Sequence, residues 1–246
     1  GCRFCQAGYV YRPVRERKAK TLTKLANSLL ETSGYDEISL SSLSTSDYRE
    51  LKELTDELLD ITEKKKIGLS LPSLRIDNFS LELMNKVQKV RKSGITFAPE
   101  AGTQRLRDVI NKNITEENIM QSTSRLFRGG WTNVKLYFMI GLPTETEDDV
   151  LGIATLAEAV LGKYFEIPKE ERAKNINITV STSSFIPKPF TAFQWSKQDT
   201  REEIIKKQEL LKKAITSKRI RYNWHDNKVS YLEGVFARGD RRLSKA

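Results

Sequence analysis

Short apolar runs alternate along this chain with longer stretches in which apolar residues recur every three or four positions. The runs are Glu37-Ile38-Ser39-Leu40, Ile67-Gly68-Leu69-Ser70-Leu71, Ile95-Thr96-Phe97-Ala98, Val134-Lys135-Leu136-Tyr137-Phe138-Met139-Ile140 and Ile176-Asn177-Ile178-Thr179-Val180-Ser181. Several are apolar on both faces, as strands covered on both sides are. Between them, Leu22, Leu25, Leu29 and Leu30, and then Leu51, Leu54, Leu58 and Leu59, keep helical spacing. Asp47 with Glu50, Thr115, and Thr144 with Glu147 are the expected helix starts. Gly34, Gly94 and Gly130 are placed to stop helices before the next strand.

Serial strand–helix–strand units imply a parallel α/β fold, an open doubly wound sheet or a barrel. In both, chemistry gathers at the carboxyl ends of the strands. Ser41 to Ser44, Arg75 with Asp77, Glu100, and Gly141-Leu142-Pro143 all follow such ends. From Thr200 the pattern changes. Residues 200–219 read as a basic amphipathic helix carrying Ile204, Leu211 and Ile215, with Lys206, Lys207, Lys212 and Lys213 outside. A basic tail, Arg238 to Lys245, closes the chain.

The 246 residues suit one large or barrel-sized domain. No stretch approaches the roughly 20 apolar residues that span a bilayer, so no membrane partner is expected. The formal net charge is +10, which favours anionic partners, RNA among them. The two cysteines form no disulfide framework, and a reducing cytoplasm is the expected compartment.

Both cysteines sit at the start, Gly1-Cys2-Arg3-Phe4-Cys5-Gln6. A redox pair would open a helix after a strand, whereas Pro13 and a basic run follow here. Structural zinc wants four ligands, and the other soft candidate, His225, lies at the far end of the chain. An iron–sulfur cluster is held by cysteine thiolates and fits if a third cysteine lies upstream. The chain opens at these cysteines without a methionine and is expected to be a piece of a longer protein.

This start resembles the cluster loop of radical S-adenosylmethionine (SAM) enzymes, Cys-x-x-x-Cys-x-x-Cys. Cys2 and Cys5 match its second and third cysteines, and Phe4 matches the aromatic residue before the last. Ser42-Leu43-Ser44 occupies the place of a Gly-Gly-Glu motif, and Arg75-Ile76-Asp77 looks like an Arg-x-Asp block. Pro99-Glu100-Ala101-Gly102-Thr103 and Phe138-Met139-Ile140-Gly141-Leu142-Pro143-Thr144-Glu145-Thr146 resemble the nucleoside-contacting and adenine-side segments. Gln6-Ala7-Gly8, Ile186-Pro187-Lys188-Pro189-Phe190-Thr191 and the block Leu232 to Arg242 bring it nearest to the B12-binding radical SAM proteins of unassigned substrate.

The resemblance implies an α/β fold, a partial (β/α)6 TIM-like barrel lacking its first strand. Family strands are then expected near 36–41, 67–72, 94–99, 133–140 and 176–184. Residues 1–197 would form the barrel and 198–246 a C-terminal basic helical extension. It implies a [4Fe–4S] cluster on Cys2, Cys5 and an upstream cysteine, bound SAM, and an external electron donor. Cobalamin would come through an upstream domain. Reductive cleavage would yield a 5′-deoxyadenosyl radical that abstracts hydrogen from an unknown substrate. Phe4 would pack on adenine, and Ser42 and Ser44 would meet the methionine ammonium. Glu100 would meet that ammonium or the ribose, Lys112 or Arg75 the carboxylate, and Ile140 and Gly141 the purine.

More ordinary roles stand beside these. Glu100 can cap the next helix, Arg75 and Asp77 can pair with each other, and Lys112 can be a solvated helix residue. The rival functions are a basic RNA-binding barrel and a cluster-free scaffold.

Overall fold

The computed structural model describes residues 1–71, Lys86 and residues 94–245. The Arg75-Ile76-Asp77 block lies outside these residues. Six strands are described: β1 (Glu37–Ser39), β2 (Gly68–Ser70), β3 (Ile95–Glu100), β4 (Asn133–Ile140), β5 (Asn177–Ser184) and β6 (Ile220–Trp224). The first five fall where expected. They form two parallel sheets, β1-β2 and β3-β4-β5-β6, with strands in chain order.

β6 is not among the expected strands. The extension after residue 198 holds helix α7 (Arg201–Ala214) and helix α8 (Asn227–Arg238), and between them Ile220–Trp224 pairs with β5 from Ile178 to Thr182. The extension is therefore part of the barrel sheet as well as helical.

Helices connect the strands. They are α1 (Ala7–Val10), α2 (Ala19–Ser33), α3 (Leu51–Lys65), α4 (Gln104–Val109), α5 (Glu116–Arg128) and α6 (Glu147–Phe165). In α3 the predicted face holds, with Leu54, Leu58 and Leu59 at most 6% exposed. In α2 it shifts: Ala19, Ala26 and Leu30 are buried, while Leu25 and Leu29 stand out in solvent. Alanine allows the closer approach of α2 to α3, and the leucines lie on the flank.

The helix starts show which local signals won. Thr115 caps α5 in a reciprocal box with Asn118. The cap of α6 is Thr146 with Asp149, not Thr144 with Glu147. Thr144 has φ 68° and belongs to the preceding turn. Asp47 lies in a single 3-10 turn, Thr45–Asp47, and α3 starts four residues later without a side-chain cap.

The main core lies on one face of the larger sheet. Ile95, Phe97, Val134, Leu136, Phe138, Ile140, Ile178 and Val180 pack there against α5, α6 and α7 through Ile119, Leu126, Ile153, Ala157, Ile204 and Leu211. A second cluster joins β1 and β2 to α2 and α3. A third, Ala101, Leu106, Ile110, Leu142 and Phe185, sits at the carboxyl ends of the strands, and Phe4, Met139 and Phe193 pack against it.

Candidate functional site

β3 ends irregularly, and the irregularity aims a carboxylate. Pro99 has no N–H to give the ladder, and the register with β4 slips between Phe97 and Glu100. Glu100 then takes φ 69°, a left-handed conformation that costs an L residue roughly 1–2 kcal/mol. The next turn is braced on all sides. Arg107, fully buried, donates to the carbonyls of Ala101 (3.0 Å) and Gly102 (3.2 Å). A Cβ on Gly102 would lie 2.2 Å from the Ile153 amide nitrogen, so only glycine lets α6 approach this closely. Asp149 of α6 accepts hydrogen bonds from Thr103, Arg105 and Thr146. Burial pushes the Asp149 carboxyl up, but these donors outweigh it and hold it down at about 2.

Helix α4 is only six residues long, and Asn111 and Asn113 both have φ 55°. Asparagine tolerates that region better than most residues. The turn they make returns the chain to Glu100, where Lys112 Nζ lies 2.9 Å from Glu100 Oε1. Both side chains are 17% exposed. Thr103, not Glu100, caps α4, and Lys112 lies beyond the end of α4, half-buried and paired with Glu100.

The cysteine loop docks on this same turn. The Arg3 amide donates to the Ile110 carbonyl (2.9 Å), its guanidinium to Val109 O (2.6 Å), and Asn111 Nδ2 to Gly1 O (3.0 Å). Phe193 N donates to Arg3 O (3.3 Å), and Gln6 Nε2 to Pro189 O (3.0 Å). Tyr9 stacks on Phe190 with ring centroids 4.6 Å apart. Cys2, half-buried, and Cys5, exposed, are both free thiols. Burial raises the Cys2 pKa, Lys112 pulls it down, and Glu100 and Cys5 push it up. Cys2, Cys5, Glu100 and Lys112 thus share one electrostatic neighbourhood.

The donor set fits an iron–sulfur cluster. Two thiols share one short turn closed by the Cys5 amide on Cys2 O (3.2 Å), and the Ala7 amide donates to Cys5 Sγ (3.4 Å), an N–H that supports a thiolate. Among the described residues, no three His, Cys, Asp or Glu side chains gather around one point.

The other expected residues divide. Phe4 is half-buried against the cluster of Leu142 and Phe185. Ile140 points into the helix-side core, fully buried, and its carbonyl accepts from the Phe185 amide (2.8 Å). Gly141 has φ 81°, and a Cβ there would meet Asp199 Oδ2 at 3.0 Å and Ile204 Cδ1 at 3.2 Å. The room it leaves is filled by the C-terminal extension. Ser42 and Ser44 lie at the end of β1: Ser42 bonds Thr45 (2.9 Å), and the buried Ser44 Oγ has no partner among the described residues.

One cluster went unread in the sequence. Glu145, 2% exposed, accepts from the Gly141 amide (2.8 Å) and from Lys207 Nζ (2.7 Å), which also reaches Asp199 Oδ2 (2.6 Å). Burial works against the Lys207 ammonium, but the two carboxylates more than offset it and raise its pKa. Lys207 is thus no free cation on the basic helix but the joint that fixes α7 to the end of β4. Asp149 could have been found from the Thr146-x-x-Asp149 spacing, whereas nothing local marks Lys207.

Comparison with known proteins agrees with this architecture. Residues 1–157 match the model of the radical SAM superfamily. An uncharacterized protein of Methanocaldococcus jannaschii is 33% identical over 244 residues, covering 99% of this chain and 50% of that protein. This chain thus spans about half the length of that curated relative. Among solved structures, Streptococcus suis SuiB bound to S-adenosylmethionine aligns with TM-score 0.62 at 10% identity, covering 92% of this chain and 47% of that one. The archaeal Methanocaldococcus infernus Elp3 with an N-terminal deletion aligns with TM-score 0.55 at 16% identity, covering 89% and 60%. At such identities the structures speak for the fold. Together with the family match over the cysteine loop and strands β1 to β4, they make this chain a member of the radical SAM superfamily.

Proposed function

We propose that this chain is the core of a radical SAM enzyme in which Cys2 and Cys5 supply two of three cluster thiolates. One observation carries the reading: the cysteine loop is hydrogen-bonded onto the turn that presents the Glu100–Lys112 pair. When bound, the cluster supplies the electron that cleaves SAM to a 5′-deoxyadenosyl radical, the cofactor's own chemistry. The residues bind and orient. Glu100 accepts from the methionine ammonium or a ribose hydroxyl, and Lys112 meets the methionine carboxylate. Phe4 gives an apolar surface beside the adenine. Arg107, Asp149 and Gly102 keep the Glu100 turn rigid, and Lys207 holds the Gly141 turn through Glu145. The B12-binding branch is the finer assignment, supported by the Gln6-Ala7-Gly8 and 186–191 blocks.

Anaerobic reconstitution of the full-length protein with iron and sulfide tests this. Cluster absorbance should appear, and dithionite should release 5′-deoxyadenosine. Cys2→Ser and Cys5→Ser should lose both while melting at the midpoint of the unreconstituted parent. A fully reconstituted protein without SAM cleavage sinks the reading. Cobalamin retained by the full-length protein supports the branch.

The basic extension supports a second, compatible reading, contact with RNA. Trp224 is 43% exposed, with Lys212 Nζ 5.8 Å from its ring. Binding to RNA that falls steeply with salt supports it, and flat, weak binding removes it.

A further inference from the structure

The larger sheet has a second face, and it is polar. Val134, Leu136, Phe138 and Ile140 enter the helix-side core at no more than 2% exposure. Strand alternation therefore puts Lys135, Tyr137 and Met139 on the opposite face. Pairing extends this surface sideways. Lys135 stands beside Thr96 of β3 and Thr179 of β5, and Thr179 beside Arg221 of β6. One row nearer the carboxyl ends, Tyr137 stands beside Ser181 and Ser181 beside Asn223. In the row above, Met139 packs against the cluster that also seats Phe4. The polar rows thus continue down the barrel wall from the support of the cysteine loop.

Within these rows Lys135 Nζ lies 3.1 Å from the Tyr137 hydroxyl oxygen and 4.4 Å from the ring centroid. Lysine only donates, so Tyr137 accepts here and its own O–H is free to donate. Tyr137 is the partner of this ammonium among the described residues, and it offers a hydroxyl rather than a carboxylate. A half-buried cation with no carboxylate beside it among the described residues, next to a second donor and a row of hydroxyls, is matched by an oxyanion. Arg221, two strand spacings away, or about 10 Å, adds to the positive potential of the same wall.

We propose that Lys135 and Tyr137 form a subsite that binds a carboxylate or phosphate group of the substrate. This rests on the proposed function for its identification of the ligand as the substrate. The remaining N–H groups of Lys135 and the O–H of Tyr137 hold the anion, and the hydroxyls of Thr96, Thr179 and Ser181 line its surroundings.

Lysine acylation of the native full-length protein, read at each residue by mass spectrometry, tests the subsite without a cluster. At constant ionic strength, phosphate or succinate replacing chloride is expected to slow acylation of Lys135 roughly fivefold, as an anion at about four times its dissociation constant would. The exposed Lys206 serves as the internal reference. Protection by phosphate alone assigns a phosphate-bearing substrate, and protection by succinate alone a carboxylate-bearing one. Equal rates in all three salts overturn the proposal, as does protection left intact in Tyr137→Phe. A second readout is the melting midpoint, which phosphate or succinate should raise in the parent protein and not in Lys135→Gln. An equal rise in both is again fatal. Protection without SAM cleavage leaves the subsite standing and removes the enzymatic reading, and cleavage without protection does the reverse.

Discussion

Lys112 Nζ meets Glu100 Oε1 at 2.9 Å, and both charges act on the Cys2 thiol, the ammonium lowering and the carboxylate raising its pKa. The two are twelve positions apart in sequence, and the left-handed Asn111 and Asn113 flank Lys112. In the proposed function Glu100 contacts SAM through its carboxylate. Glu100→Gln in the reconstituted full-length protein is expected to weaken SAM binding about tenfold, or about 1.4 kcal/mol. Isothermal titration checks this, and unchanged affinity removes Glu100 from the binding set.

The positive φ of Glu100 makes a separate prediction about stability. Glu100→Ala and Glu100→Gly both lose the ion pair, but only alanine keeps the left-handed penalty. Glycine should therefore be the more stable variant by about 1 kcal/mol. Denaturant midpoints with a common slope measure the difference, and the reverse order would refute the strain.

Lys207→Met strips the cation from Glu145 and Asp199, the first of which is 2% exposed. Leaving a buried carboxylate unpaired should cost about 3 kcal/mol. Because Glu145 also holds the Gly141 amide, the same variant should loosen that turn. Hydrogen exchange at Gly141 reports it, and unchanged exchange would mean that the joint does not extend to the turn.

Acid should weaken the fold through Asp149. Its folded pKa, about 2, lies below the ordinary 3.8, so its contribution is complete above about pH 4. It is then lost as pH falls toward 2, because the unfolded chain takes up the proton first. The loss should be about 2 kcal/mol. Asp149→Asn removes this part of the acid sensitivity, which denaturation between pH 5 and 2.5 measures against the parent.

Elements formed by near neighbours were legible. The strand runs Ile95 to Ala98 and Val134 to Ile140 declared themselves, because buried parallel strands are apolar over a few consecutive residues. Thr115 announced α5 because a cap and its box are three residues apart. The cysteine pair stood out as candidate chemistry, because two thiols three positions apart fall on one short turn. The misplaced cap of α6 shows the limit. Thr144 and Thr146 both have an acid three residues on, and the turn after β4, with Thr144 in the left-handed region, selected Thr146.

What the sequence by itself determined is the parallel α/β order, the two-cysteine loop, and the carboxyl-end residues around which a site can form. Strand β6, the Glu100–Lys112 meeting beside Cys2, the Lys207 joint and the Lys135–Tyr137 pair on the inner wall were decided only in three dimensions. The reason lies in how each is stabilised. Apolar periodicity and caps act within a turn or two of chain and leave a local imprint. β6 exists through pairing with Ile178 to Thr182, some forty residues earlier, and Lys207 through carboxylates on two other segments. Such contacts are selected when the sheet closes its ladder and buried charges find partners, and no window of neighbouring residues records that choice.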